Sequence, residues 1–325
     1  MTEARPLDLS DPGVRRAWAA LLDASPVSSP FGALDVAEAA AGAFGFTLRA
    51  FGVEADAGLV AGLLVYEKRQ GPYRLGVVPP LVPVTPFVLA EVPTESEVHG
   101  RASPLDALVG ALNGRFHALA FRLQHAIADV RTWTWAGFTA TPRYTYAQAL
   151  GPSSEMLAAS GRGVRQRIRR DGDTFTFAEE PDRLDVLEAL ETDVYARQDA
   201  EPPVASDRRD AYLRPLLASG RARLFVLRDV EAGAPVGAQA VVSDGRDASV
   251  VCGASRPGSA MTVMTHRVRE ALHDEGVRSL DLVGANLPAV AEFKRGFGMP
   301  LVAQFYVTRV DRPELRALGL VRPVV

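Results

Sequence analysis

The sequence predicts an α/β (α+β) protein of two tandem units, each a mixed, mostly antiparallel sheet flanked by helices. Three observations predict it. The chain has 325 residues, more than one hydrophobic core usually holds. The same order of elements runs through it twice: helix, three strands separated by tight turns, helix, strand, strand. Within that order "LRAFGVEADAGLVAGLLV" and "ARLFVLRDVEAGAPVGAQAVV" line up, each with a small-residue turn before a strand carrying Gly62 or Gly237 near its start. The first unit is expected over 1–150, the second over 151–310, and a tail over 311–325.

In the first unit Pro12 follows Ser10 at an early helical position, and apolar residues continue to Leu22. The Ala-rich "FGALDVAEAAAGAFG" predicts a second helix. Three short strands are expected in "TLRAFGVEADAGLVAGLLVYEKRQGPYRLGVV", punctuated by "ADAG" and "RQGP". After a proline-rich loop, "SPLDALVGALNGRFHALAFRLQHA" predicts one long amphipathic helix. Ser103 suits its cap, Pro104 its first turn and Asp106 its positive end. "RTWTWAGF" and "RYTYAQALG" are expected as closing strands.

The second unit repeats the programme. A helix in "RLDVLEALETDVYARQ" precedes three strands in "ARLFVLRDVEAGAPVGAQAVVSDGRDASVVCGAS". A helix in "AMTVMTHRVREALHDEG" leads to the strands "RSLDLVG" and "PLVAQFYVTRV". A helical crossover from the third strand to a strand beside it makes one parallel pair. Parallel neighbours splay at such a crossover, and ligands sit at the opening. The crossover helix points its N-terminal N–H groups into that cleft, which suits a phosphate.

Composition narrows the partners. A formal net charge of −3 excludes a global polycation, so DNA is not an expected partner and anion binding must come from a local patch. The single cysteine, Cys252, excludes a disulfide framework and a Cys-rich zinc site, and its apolar flanks predict an inert thiol. His99, His117, His125, His266 and His273 have no partners at metal-ligand spacing, so no metal is expected. The start of the chain lacks a basic stretch followed by an apolar core. Pro79, Pro80, Pro83 and Pro86 break the longest apolar run, so no membrane span and a cytoplasmic location are expected.

Four segments carry candidate chemistry. "GRGVRQRIRR" holds Arg162, Arg165, Arg167, Arg169 and Arg170. On a helix with Val164 and Ile168 inward, Arg162, Arg165 and Arg169 share a neighbouring face, and guanidinium forks suit phosphate. Arg165, Arg169 and Arg170 are therefore candidate substrate-binding residues. Asp281, at the end of the alternating strand "SLDLVGAN", is placed to take a proton from an amine or orient it. Asp199 and Glu201 are further candidates for that work, and Tyr144, Tyr146, Tyr212 and Tyr306 for donating to a leaving thiolate. The apolar loop "VVPPLVPVTPFVL", with Thr85 at its rim, is expected to wall an acceptor pocket. In "AEFKRGFGMP", the Phe293 and Phe297 pair and two glycines would brace a turn presenting Lys294 and Arg295 to negative charge.

The layout resembles the GNAT acyltransferase fold, and its duplication resembles the FemAB-like branch of that superfamily. Three segments carry the resemblance: "RQRIRRDGDTFTF", "SVVCGASRPGSAMTVMTHRVREALHDEGVRSLDLVGAN" and "EFKRGFG". They are similar to the branch's basic helix and strand, its core strand–loop–helix–strand, and its phenylalanine-lysine signature. The match runs from Arg143 to Val310, while the first unit matches in layout only. The cofactor loop departs from the family: "SRPGSAMTV" has no full glycine run, and no long helical arm follows.

The resemblance implies an N-acyltransferase that joins an acyl group from acetyl-CoA or another acyl-CoA to a small-molecule or peptide amine by direct attack. Val250, Val251, Cys252 and Gly253 would offer backbone donors, while Arg256, Gly258 and Ser259 would hold the donor's phosphates. Asp281 and Lys294 would be the catalytic pair, with Phe293, Arg295 and Thr85 on the substrate side. The branch also implies an alternative, a Fem-type enzyme using aminoacyl-tRNA to extend a peptidoglycan precursor. A ligand-binding member without activity is the third.

Overall fold

Asp11 accepts a hydrogen bond from the Gly13 N–H at 2.6 Å, and Pro12 takes the first helical position, so the chain enters helix α1 (Pro12–Ala24) at a built cap. In this computed structural model residues 3–27, 29–56, 58–92, 103–312 and 314–315 are described. Two compact units divide the chain: Met1–Arg143 with Ala303–Val325, and Tyr144–Val302.

The first unit holds β1 (Ala4–Leu7), α1, α2 (Leu34–Phe44), β2 (Thr47–Ala55), β3 (Gly58–Gln70), β4 (Tyr73–Gly76), β5 (Phe87–Leu89), α3 (Pro104–Ala111), β6 (Ala118–Arg122) and α4 (Arg131–Trp135). Strands β2, β3 and β4 form the expected antiparallel meander. The crossover through α3 makes β4 and β6 a parallel pair, Leu75 facing Ala118. Strand β5, after the proline-rich loop, pairs with β3 beyond the end of β4.

Two sequence expectations change here. The helix expected over Ser103–Ala126 ends at Ala111, and Ala118–Arg122 is a strand. Gly114, at φ +67, turns the chain between them. "RTWTWAGF" is helix α4 and not a strand. Asp129 accepts from the Arg131 N–H at 2.9 Å, and Trp133 packs edge-on to Phe87 and Phe138 at 5.1 and 5.2 Å. Burial of that one aromatic outweighs the β preference of its neighbours.

The second unit contains part of β7 (Thr139–Ala149), α5 (Ser153–Ala159), α6 (Arg162–Asp171), β8 (Phe175–Glu179), α7 (Leu184–Ala196) and α8 (Ser206–Ala218). It continues with β9 (Ala222–Asp229), β10 (Pro235–Ser243), β11 (Asp247–Ser255), α9 (Ala260–Asp274), β12 (Ser279–Asp281) and α10 (Pro288–Arg295). Its sheet runs β7-β12-β11-β10-β9-β8, antiparallel except for β11 and β12. Helices α5 and α8 carry weak periodicity and are additions to the expected layout. The last strand, β13 (Leu301–Val310), crosses from one unit to the other, and Ala303–Val310 lies in the first. Its ladder with β6, Tyr306 facing Arg122, holds it there. The boundaries therefore fall near residues 143 and 302 where the sequence suggested 150 and 310, and residues 316–325 of the tail lie outside the described chain.

Each unit has its own core. In the first, Phe121, Trp133, Phe138 and Val307 pack with Leu63, Val65 and Leu108. In the second, α9 lays Val263, Met264, Val268 and Leu272 on Phe225, Leu227 and Val241 of the sheet. Phe297 joins this core, and Gly298 follows it at φ +72. A Cβ at Gly298 would stand 2.1 Å from the Ala159 carbonyl oxygen. Gly298→Ala is expected to cost about 3 kcal/mol or more, read as a lower urea midpoint, because a backbone clash adds to left-handed strain.

Candidate active site

Strand β11 is where the second sheet opens. It pairs with β12 only over Asp247–Ser249, facing Ser279–Asp281, and then runs on to Ser255 without that neighbour. On its other side Val241 faces Val250 and Ala240 faces Cys252, so Val251 is the extra residue of a β-bulge. A bulge re-aims local N–H and C=O groups, and this one sits where the parallel partner leaves. Val250–Gly253 thus lie on an open strand edge, as their sequence position predicted.

Beyond the strand, Arg256, Pro257 and Gly258 turn the chain, Gly258 at φ +114. Helix α9 then starts with no side chain capping its first turn. Its first N–H groups and dipole face whatever lies before it. A cleft of about 350 Å³ lies there, lined by Gly253–Gly258, Met261, Thr262, Phe293, Val194 and three arginines: Arg167, Arg197 and Arg256. No carboxylate lines it. Arg197 is bridged to Asp193 and reaches the Ser255 carbonyl at 3.4 Å. The guanidinium groups of Arg167 and Arg256 donate no hydrogen bond among the described residues. These cations and open N–H groups fit a polyphosphate.

The arginine helix is real, with Val164 buried as expected, but its arginines divide differently. Arg165 donates to the carbonyls of Ala158 and Ser160, which closes the α5–α6 turn. Arg170 pairs with Asp171 at 2.6 and 2.7 Å, and with the Ser259 hydroxyl it holds that carboxyl at about 2. Arg169 is exposed. Arg167 is the member that reaches the cleft. Arg256, Gly258, Gly253 and Phe293 line the cleft, and Ser259 stands at the N-cap position of α9 with its hydroxyl turned to Asp171.

The "FKRGFG" segment is the end of helix α10, where a loop was expected. Phe293 lines the cleft and meets Phe297 edge-on at 5.2 Å. Arg295 is exposed. Lys294 turns the other way. Its ammonium donates to three backbone carbonyls: Leu282 at 2.7 Å, Gly284 at 2.7 Å, and Val283 between them. This loop leaves β12 with Val283 at φ +51 and Gly284 at φ +73, an unusual backbone for a β-branched residue. Burial lowers the Lys294 ammonium to about 8, and the charge of Asp281 opposes that shift. Asp281 accepts from the Thr145 hydroxyl and, at 2.7 Å, from the Val283 N–H. The two residues expected as a catalytic pair thus hold opposite ends of one strained loop.

Other candidates are dispersed. Thr85 is buried in the first unit, its N–H 2.7 Å from the Arg122 carbonyl and its hydroxyl accepting from the Arg122 N–H at 3.0 Å, so it pins the proline-rich loop to β6. Asp199 and Glu201 are exposed. Tyr146 and Tyr212 are buried and Tyr144 is exposed, while Tyr306 lies in the first unit. His99 lies outside the described residues. Among these no group of three or more His, Cys, Asp or Glu could hold a common metal ion, and no helix is long and apolar enough to cross a membrane.

One cluster escaped the sequence. On α7, one turn before Val194, Glu191 accepts from the buried guanidinium of Arg209, which also donates to Asp210 at 2.8 and 3.0 Å. Burial raises the Glu191 carboxyl above its ordinary range despite Arg209. Cys252 on β11 is close enough for the Glu191 charge to add to the burial that pushes its thiol up, and Tyr195 is raised chiefly by burial in the same place. Two carboxylates around one guanidinium leave this spot net negative. Arg209 and Asp210 sit on the unanticipated helix α8, so no spacing in the sequence linked them to Glu191.

Residues 159–295 match the sequence model of the acetyltransferase (GNAT) domain. No curated protein matches the chain. Among solved structures, FemX has a TM-score of 0.75 at 13% identity, covering 97% of this chain and 99% of its own. The C-terminal domain (DUF2156) of a putative lysylphosphatidylglycerol synthetase from Agrobacterium fabrum has a TM-score of 0.57 at 15% identity, covering 94% of each chain. A tandem GNAT protein from the clavulanic acid biosynthesis pathway has a TM-score of 0.56 at 16% identity, covering 96% and 99%. At these identities the likeness is one of fold. The domain match covers residues 159–295, and the fold likeness extends over nearly the whole chain.

Proposed function

We propose, from a second unit that carries a GNAT acetyltransferase domain, that the protein is an N-acyltransferase joining the acyl group of an acyl-CoA to a primary amine. The observation that carries this reading is the cleft at the open end of β11, with three arginines, an uncapped helix start and no carboxylate. A thioester donor supplies the activated acyl carbon. Arg167, Arg256 and the first N–H groups of α9 hold its phosphates, and Gly258 lets the backbone approach closely. The open edge at Val250–Gly253 offers N–H groups to the carbonyl oxygen.

The amine must shed a proton before it attacks, its ordinary pKa being near about 10.4 for a lysine-like group. Glu191 is the proposed acceptor, because a raised carboxyl beside the strand edge is matched to that work. Glu191 takes the ammonium's proton first; as the C–N bond then forms and the C–S bond breaks, the second nitrogen proton passes to the departing sulfur, which leaves as the thiol. Asp281 and Lys294 shape the loop opposite β11 and act through its position.

A Fem-type reading, with aminoacyl-tRNA as donor and a peptidoglycan-precursor peptide as acceptor, is favoured by the FemX likeness and by exposed Arg162 and Arg169 beside the cleft helix. Isothermal titration separates the two. Micromolar acetyl-CoA binding is expected, weakened at least about tenfold by Arg167→Gln with Arg256→Gln, roughly 1.4 kcal/mol. Binding of an aminoacyl-tRNA but not acetyl-CoA would select the Fem-type reading. Heat with neither would leave a non-catalytic ligand-binding protein.

A further inference from the structure

Half-buried arginines in the first unit follow a rule. Arg15 is bridged to Glu38, Arg74 to Glu67, Arg131 to Asp129 and Arg309 to Asp311. Two break it. Arg122 and Arg143 are also half-buried, and among the described residues neither forms an ion pair or a side-chain hydrogen bond. Arg122 ends β6 directly opposite Tyr306 of β13. Arg143 is close enough to interact electrostatically with both Arg122 and Tyr306.

Their surroundings offer no compensation. Burial lowers the Arg122 guanidinium, Arg143 lowers it further and the Tyr306 phenol opposes them; no carboxylate of the described residues contributes. Tyr306 itself is buried and its phenol raised by that burial, so it remains a neutral hydroxyl able to donate. Holding two guanidinia near one another in a part-dehydrated place, with no acid among the described residues, works against folding. The other half-buried arginines of this unit show that the fold can supply an acid. The place is also built: the Arg122 backbone exchanges two hydrogen bonds with Thr85, which fixes the proline-rich loop at its side.

We propose that Arg122, Arg143 and the Tyr306 hydroxyl form a binding site for an oxyanion, a carboxylate or phosphate carried by the amine substrate. Two planar donor forks and one hydroxyl match the several lone pairs of such a group. The site rests on the acyltransferase reading for its assignment to the acceptor. Its existence does not depend on the donor cleft. It places the expected acceptor role of the proline-rich loop on the arginines that the loop braces, and assigns Thr85 to bracing.

The test is isothermal titration of the full chain at low ionic strength with sodium phosphate and, separately, sodium acetate. It is done in a background carrying Arg167→Gln and Arg256→Gln, so that the donor cleft contributes no heat. The expected result is binding in the ~millimolar range, weakened at least about tenfold by Arg122→Gln or Arg143→Gln and lost when both are changed. Arg122→Lys, which keeps a cation, is expected to retain most of it. Phosphate binding tighter than acetate points to a phosphate-bearing acceptor, and the reverse to a carboxylate. Heat from neither anion overturns the site, as does equal binding in the parent and the Arg122→Gln, Arg143→Gln protein with circular dichroism unchanged. Acetyl-CoA titration of Arg122→Gln, Arg143→Gln protein with an intact donor cleft is expected to match wild type. Loss of anion binding there with donor binding kept, or the converse, separates this inference from the acyltransferase reading.

Discussion

Replacing Lys294 with methionine is expected to lower kcat for amide formation about 100-fold, roughly 2.7 kcal/mol in the barrier, with a smaller loss of stability. The ammonium spends its N–H groups on the carbonyls of Leu282, Val283 and Gly284, and methionine offers none. Three part-buried carbonyls then lack a donor, and the left-handed backbone at Val283 and Gly284 loses the contact that holds it. The loop faces the open edge of β11 across the splay, so its relaxation misplaces the amine's approach.

A pH profile distinguishes this positioning role from packing. Burial lowers the Lys294 ammonium to about 8 from an ordinary 10.5. Wild-type kcat should therefore fall as pH rises through about 8, and Lys294→Met should lack that limb. Stability moves the other way. Between pH 8 and 10.5 the unfolded chain still binds a proton on Lys294 that the folded chain has shed, so this residue's contribution to stability rises across the window. The rise is bounded by ~3 kcal/mol, and below pH 8 both states are protonated and the group contributes no slope. A melting temperature that falls together with kcat through pH 8 would refute the lowering of the ammonium by burial.

The two meanders, the parallel crossover pairs and the open strand edge were legible because alternation, turn residues and repetition are local signals. So was the place of the segment from Arg256 to Ser259, a turn leading from the open strand into a helix start. What escaped depends on distant partners. Spacing alone put Arg165, Arg169 and Arg170 on an anion-binding face. Yet carbonyls at the α5–α6 turn claim Arg165, Asp171 claims Arg170, and the cleft takes Arg167. "RTWTWAGF" read as a strand from its β-branched and aromatic residues, and became helical because one tryptophan fills a core site between phenylalanines. Lys294 was found, but its partners lie ten to twelve residues earlier in the sequence and face it only through the geometry of helix α10.

Glu191→Gln is expected to lower kcat about 100-fold or more, within the range for loss of a general base, while the protein stays folded. Glutamine keeps an oxygen for the Arg209 guanidinium, and Arg209 remains bonded to Asp210. Burial raises the Glu191 carboxyl above its ordinary 4.5, so wild-type activity should climb with pH through that raised value, a limb the glutamine variant lacks. Asp281→Asn separates the two carboxylates. Asparagine keeps an acceptor for Thr145 and the Val283 N–H, so the loop survives, but the negative charge beside Lys294 is gone. That charge raises the ammonium's pKa, so its loss should move the alkaline limb below about 8. The maximum rate should change far less than in Glu191→Gln. If instead Asp281→Asn abolishes turnover and Glu191→Gln leaves both limbs in place, the proton passes to the strand-end aspartate, and the acidic cluster at Cys252 serves only to fix helix α8 to the sheet.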